Sequence, residues 1–387
     1  MSKVLERRRE FLGILRQCTL ERGYFTVTDL ARAAHVPRST AQDWIHRFLK
    51  EQCVVAQEEQ RGRHPARYAA TSALPLSACR RIFTTVDRDE VEIYHECMSM
   101  GCAAFCEHHH RTAGGVLTAV RRDGTLLRER ARLGQGNADI GLYPCAAVGV
   151  SAVSIDGEWI TQRIRCLGGP AYSLTDMMTM AEGVEEIRVN REGSIADGTV
   201  KTRALRYVVI GIDDTDSREG GATFALALAL LQHLGKLAGV LPIGHQVVML
   251  NPALEGKTVG NSASLLELAI EPAVCTVVIE AVVRFVEDEA FSPEWGVAIK
   301  QGFQIPGALR DFGRETRTKI VSRDRADAVA ASSGVLLRGG RGVIGALAAI
   351  AFLGQAGSVL LDPRARFPAG TPTVQKSAAP IRQKKGN

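Results

Sequence analysis

The run Tyr207-Val208-Val209-Ile210-Gly211-Ile212-Asp213-Asp214-Thr215-Asp216-Ser217 constrains this chain more than any other stretch. Its first half is a continuous apolar, β-branched segment, the pattern of a strand buried on both faces. Its second half places three carboxylates at the end of that strand. Carboxylates cannot be buried unpaired without heavy cost. A hard cation such as Mg²⁺ suits them, because it takes oxygen ligands and commonly bridges to phosphates. A solvated turn is the competing reading. Gly220-Gly221 follows and leads into an apolar helical stretch from Thr223 to His233, a glycine-rich helix entry of the kind that receives phosphate. No Gly-Lys-Ser/Thr closes it, so it is not a P-loop.

Two later stretches carry compatible chemistry. Asn251-Pro252 with Lys257-Thr258-Val259-Gly260-Asn261 supplies amides, a cation, a hydroxyl and a flexible glycine. Gly339-Gly340-Arg341-Gly342, opening the small-residue run Val343–Ile350, reads as a second anion site.

In this order the three stretches resemble the ATP-binding core and adjoining ferredoxin-like domain of the archaeal tRNA-isoleucine agmatidine synthetase family, TiaS, over residues 207–355. The resemblance implies an ATP- and Mg²⁺-dependent reaction. Asp213, Asp214 and Asp216 fall on the family's metal-binding acidic motif, and Thr223 on its phosphate-accepting threonine. Arg341, with Gly340 and Gly342, falls on its nucleotide-contacting loop. Asn251, Lys257, Thr258, Gly260 and Asn261 fall where nucleotide or substrate contacts are expected, and Gly211, Gly220 and Gly221 where the backbone meets the cofactor. The chain also departs from the family. Gly221-Ala222-Thr223-Phe224 stands where a Met-Cys pair and two threonines are usual. Only a short basic tail follows Leu361, where the family carries an OB-fold and zinc ribbon that grip tRNA. Agmatidine formation on tRNA is therefore not the expected reaction, and tRNA is not the first expected partner.

The 387 residues predict more than one domain. Residues 1–75 read as a winged helix-turn-helix, with a helix from Leu5 to Arg22, a short helix capped by Thr26 or Thr28, and a second helix after Pro37. Two strands then flank the basic loop Arg61-Gly62-Arg63-His64. In such a module Arg38, Ser39, Thr40, Gln42 and Arg47 face bases and phosphates, and Arg61 and Arg63 lie on the wing. DNA is thus the expected partner, with protein docking the alternative. Homodimerisation is compatible with such a module. The net charge of +6 permits nucleic-acid contact without demanding it.

Residues 76–205 form a central segment of unassigned fold, rich in cysteine and histidine between His95 and His110. Cys97, Cys102 and Cys106 could hold zinc or part of an iron–sulfur cluster, with a histidine or Cys145 completing the shell. Redox thiols and plain packing are the alternatives. Residues 206–361 form the TiaS-like domain, and 362–387 a disordered basic tail. The fold class is therefore multi-domain α/β (α+β). Nine cysteines, a polar N-terminus and no apolar run longer than that near Ala222–Leu231 indicate a soluble, cytoplasmic protein. The functional expectation is an ATP- and Mg²⁺-dependent phosphoryl-transfer or ligase-type protein joined to a DNA-binding module. The alternative is a nucleotide-, metal- or redox-sensing regulator without catalysis.

Overall fold

The computed structural model describes residues 3–60, 62, 64–73, 78–168, 176–192, 194–255 and 260–365. Arg61, Arg63, Lys257 and Thr258, and residues 366–387 of the expected tail, lie outside the described residues. The chain divides into two compact units, Met1–Leu76 and Ser77–Asn387.

The first unit holds helices α1 (Lys3–Arg22), α2 (Val27–Ala33) and α3 (Arg38–Lys50), then an antiparallel pair β1 (Val54–Glu58) and β2 (Arg67–Ala70). Thr26 starts α2 through a capping box: its hydroxyl accepts from Asp29 N, and the Asp29 carboxylate accepts from Thr26 N. The core gathers Phe11, Leu15, Phe25, Leu30, Ile45 and Phe48, with Trp44 edge-on to Phe11. Leu5 is exposed, and the buried stripe of α1 runs through Phe11, Leu12, Leu15 and Thr19.

The second unit is organised by one long strand. Its elements in chain order are β3 (Cys79–Asp87), β4 (Glu90–Cys97), α4 (Met100–Ala113), β5 (Leu117–Asp123), β6 (Leu126–Arg132), β7 (Gly134–Gln135), β8 (Val148–Asp156) and β9 (Trp159–Leu167). Next come β10 (Val184–Glu192), β11 (Ile195–Asp213), α5 (Thr223–Leu234), β12 (Val240–Met249), β13 (Ser262–Ile270) and α6 (Cys275–Glu289). Then follow β14 (Gly296–Gln301), α7 (Gly307–Thr318), α8 (Arg323–Ser333), β15 (Val335–Gly339), α9 (Val343–Ala351) and α10 (Gly357–Leu361). The first part of β11 lies between β9 and β10, residues Ala204–Arg206 pair in parallel with β3, and the last part lies between β13 and β14. The boundary expected between residues 205 and 206 therefore falls inside a continuous strand. Backbone ladders cross it without a break, and residues 77–387 form one compact unit.

Side chains alternate along the last part of β11, as the pleat requires. Val208, Ile210 and Ile212 pack under α5 and α6, against Leu230, Val278 and Val282. Tyr207 and Val209 face the other layer, where α7, α8 and α9 bury Phe312, Val329, Leu347 and Ile350. Gly211 and Asp213 share that second face. A buried ionic contact ties β6 to β13 on this side. Arg128 donates to both oxygens of Glu267, at 3.0 Å to Oε1, and Tyr207 also donates to Oε2. Among the described residues no helix is long and apolar enough to cross a membrane.

Candidate functional site

Asp213 is the last residue of β11 and points at α9. The two elements meet closely because glycines stand on both. A Cβ added at Gly211 would lie 1.9 Å from the Ala346 carbonyl oxygen, and one at Gly345 would lie 1.6 Å from Asp213 Oδ2. The carboxylate thus occupies the space a side chain on α9 would fill. Asp213 is buried, at 8% exposure. Loss of water and the adjacent Asp214 push its carboxyl well above the ordinary range. Asp214 is exposed at the rim, with φ of +54°, in the left-handed region that aspartate tolerates better than most residues. Partial desolvation and Asp216 raise its carboxyl, and Arg341 opposes them.

A cavity of about 100 Å³ opens beside these carboxylates. Asp213, Asp214, Asn251, Asn261 and Arg341 line it, so stretches far apart in sequence meet at one place. Asn261 Nδ2 donates to the Asn251 carbonyl at 2.8 Å, and this holds together the end of β12 and the start of β13. Thr316 and Lys319, at the C-terminal end of α7, complete the wall. Both lie outside the motifs read from the sequence, and the packing of α7 brings them here. Arg317 anchors that helix end: its guanidinium donates to the carbonyls of Met249 (3.0 Å), Leu360 (3.1 Å) and Asp362 (3.2 Å).

Several expected contacts stand elsewhere. The Thr223 hydroxyl is buried outside the lining, where it donates to Asp216 Oδ1 at 2.9 Å and accepts from the Thr215 backbone N–H at 3.3 Å. It is a lock on the loop from Asp214 to Ala222, committed to Asp216 rather than aimed at the cavity. Gly340 and Gly342 do not line the cavity either. The loop N–H groups expected to hold an anion are taken by Glu294: Arg341 N donates to its carboxylate at 2.9 Å, and Gly342 N to its carbonyl at 2.8 Å. Gly220 and Gly221 pack on Phe291, Gly211 lies beneath α9, and Gly260 has open space around it.

The donor set fits a hard cation with polyphosphate. Two crowded carboxylates offer oxygen ligands, and each raises the cost of charge on the other until a cation arrives. Arg341 and Lys319 line the same cavity and offer cationic groups to an anion.

The cysteine-rich segment forms a second cluster. Cys79 and Cys97 are register partners on β3 and β4, and His95 lies two residues before Cys97. Ser99 caps α4 by accepting from Cys102 N, and the helix carries Cys102 and Cys106 on one face toward that hairpin. One donor atom from each of His95, Cys97 and Cys106 lies within 4.8 Å of the others. Cys79 Sγ lies 2.6 Å from His95 Nε2. The expected trio of Cys97, Cys102 and Cys106 does come together, with the Cys102 thiol in hydrogen-bond reach of both others, but it is Cys97 and Cys106 that His95 joins in one group of donors. Cys145 lies against Gly141 and is not among these donors. Loss of water pushes His95 down to about 4. A hydrogen bond with Cys97 holds Cys106 down to about 7.

In the first unit Arg38, Ser39 and Arg47 are exposed on α3, and Thr40 and Gln42 are half-buried. Gln42 bonds His46 at 2.9 Å, and Arg47 stacks over Trp44.

Residues 209–273 match the TiaS TCKD domain family. An uncharacterized protein of Methanocaldococcus jannaschii is 24% identical over 56% of this chain and 74% of its own length. The tRNA 2-agmatinylcytidine synthetase TiaS of Pyrobaculum neutrophilum is 36% identical, over 37% of this chain and 34% of that protein. The chain thus spans about a third of the length of that synthetase. The crystal structure of TiaS in complex with tRNA and ATP shares 26% identity over 38% of this chain and 36% of that one, with a TM-score of 0.34. The C-terminal half therefore resembles TiaS, and the sequence match carries that statement.

Proposed function

We propose that the cavity between β11 and α9 binds ATP with Mg²⁺, and that the second unit couples ATP cleavage to group transfer onto an RNA substrate, with tRNA the first to test. The convergence of Asp213, Asp214, Asn251, Asn261 and Arg341 on one cavity carries this reading. The match of residues 209–273 to the TiaS TCKD domain supports it, as does the activity for which the matching synthetases are named. Those relatives move tRNA ahead of DNA as the first partner to test.

Asp213 and Asp214 would hold the metal in this account; Asp216, the third carboxylate expected there, lies outside the cavity lining and accepts from Thr223. Mg²⁺ would supply charge neutralisation on the polyphosphate. Arg341 and Lys319 contact anionic phosphate oxygens and stabilise the charge that builds on the leaving group. Asn251 and Asn261 orient the nucleotide or the acceptor. Thr223 positions the loop through Asp216. Reaction of purified protein with ATP, Mg²⁺ and bulk tRNA tests the proposal. Nucleotide turnover that rises with tRNA is expected, with AMP marking pyrophosphate release and ADP marking kinase-like chemistry. Absence of both ATP binding and turnover would refute it.

A second reading concerns the first unit, a winged helix-turn-helix that grips nucleic acid. The exposed Arg38, Ser39 and Arg47 on α3 favour it. Changing Arg38 and Gln42 together to Ala should weaken binding of a DNA or RNA duplex and flatten its salt dependence. An unchanged affinity would remove α3 from the interface. If ATP altered nucleic-acid affinity without being consumed, the chain would be a nucleotide-sensing regulator and not an enzyme.

A further inference from the structure

We propose that Cys79, His95, Cys97 and Cys106 bind one thiophilic divalent cation, Zn²⁺ by its donor chemistry, at a site separate from the acidic cavity. Bonds of about 2.3 Å to sulfur and about 2.0 Å to nitrogen set the donors of a tetrahedral zinc site about 3.5–4 Å apart. The donor atoms of His95, Cys97 and Cys106 already lie within 4.8 Å of one another. Cys97 Sγ is 4.0 Å from His95 Nε2. Such spacing suits a single ion and leaves no room for the bridging sulfides of a multi-iron cluster.

Cys79 stands outside that group of three but against His95, and would close in as the fourth donor. It faces Cys97 across the β3–β4 ladder, where the register shift between residues 79 and 81 lets its thiol reach His95 Nε2. At 2.6 Å that thiol and nitrogen are closer than two ligands of one ion, so coordination requires the pair to part by about 1 Å, within side-chain reach. Three sulfurs and one imidazole make a Cys₃His set, a composition that closes the shell and serves structure.

The surroundings are those of a metal site. An apolar-walled cavity of about 280 Å³ lies against Cys79, His95 and Cys106. Buried Glu129 stands beside it, with His110 Nδ1 2.5 Å from its Oε1, and supplies negative charge near the cation. Plain thiol packing explains the burial of Cys97. It gives no reason for an imidazole among three thiols drawn from two strands and a helix.

Metal content of the full chain, purified without oxygen and without chelator, tests the assignment. We expect one zinc per chain, and Co²⁺ substitution should give the intense near-ultraviolet charge-transfer and visible bands of a tetrahedral thiolate site. Cys106→Ser and His95→Gln should each cut retained metal at least tenfold, while Cys102→Ser keeps it. Co²⁺ titration of the unaltered chain keeps the test open if a variant fails to fold. Metal-free protein that gives no thiolate–cobalt band would overturn the site. Metal retained by Cys79→Ser but lost from Cys102→Ser would overturn Cys79 as the fourth ligand. None of these readouts uses ATP, so failure here is distinct from failure of the proposed function.

Discussion

The acidic cavity and the cysteine–histidine cluster gather side chains in opposite ways. The cavity draws on β11, the β12–β13 turn, α7 and the loop before α9, and bare backbone lets β11 and α9 approach closely at Gly211 and Gly345. The cluster is local, built by one hairpin and the helix capped directly after it. One set offers hard oxygen donors with cationic side chains in the same lining, the other soft sulfur beside an apolar cavity. Donor type and assembly therefore separate two sites that composition alone would group as metal ligands. The difference also predicts independence, since the two sets share no ligand.

The sharpest way to break this contrast is Asp213→Asn. The change keeps shape and removes charge, so Mg²⁺-dependent nucleotide turnover should fall by about 10²–10³-fold, the scale of losing one electrostatic stabiliser. Zinc content should stay the same. A steady-state assay beside metal analysis checks both, and a loss of both properties would mean one coupled site.

Gly345→Ala comes next. Its methyl group would collide with Asp213 Oδ2. Overpacking of this kind costs about 1–3 kcal/mol, so a lower urea midpoint together with weaker ATP binding is expected. Unchanged stability would show that α9 does not press on β11 as described.

A smaller effect is expected at Lys319, which has no counterpart among the sequence motifs. Lys319→Ala should weaken ATP binding about tenfold, the share of one charged hydrogen bond. An unaltered affinity would remove α7 from the site. The smallest effect is expected from a chelator such as phenanthroline, which takes zinc and other late transition metals but leaves Mg²⁺. It should strip the thiolate site and leave Mg²⁺–ATP affinity within about twofold, a change near 0.4 kcal/mol. A larger loss would show that the thiolate site supports the nucleotide cavity.

Much of the acidic cavity was legible in the sequence because its chemistry sits in short runs. A β-branched strand ending in aspartates, two asparagines around a turn and a glycine–arginine loop each carry a local mark. What no run discloses is their common destination, or the role of Gly211 and Gly345 as points of close approach. Thr223 shows the opposite error. Its position suggested phosphate, whereas its hydroxyl is bonded to Asp216. In the cluster, Cys97 and Cys106 were visible from spacing. Cys79 was not, because it lies 18 residues before Cys97 and reaches it only through strand pairing. The central segment defied assignment for a related reason. Its strands join the same sheet as the C-terminal half through the continuous β11, so no boundary exists there to find.

The most direct test of the central claim is calorimetric titration of ATP into the unaltered chain and into Asp213→Asn, each with Mg²⁺ and with excess EDTA. The account predicts binding that needs Mg²⁺ in the unaltered chain and weakens at least tenfold in the variant, about 1.4 kcal/mol. Equal, Mg²⁺-independent affinity in both would contradict it and remove the nucleotide from the cavity beside Asp213.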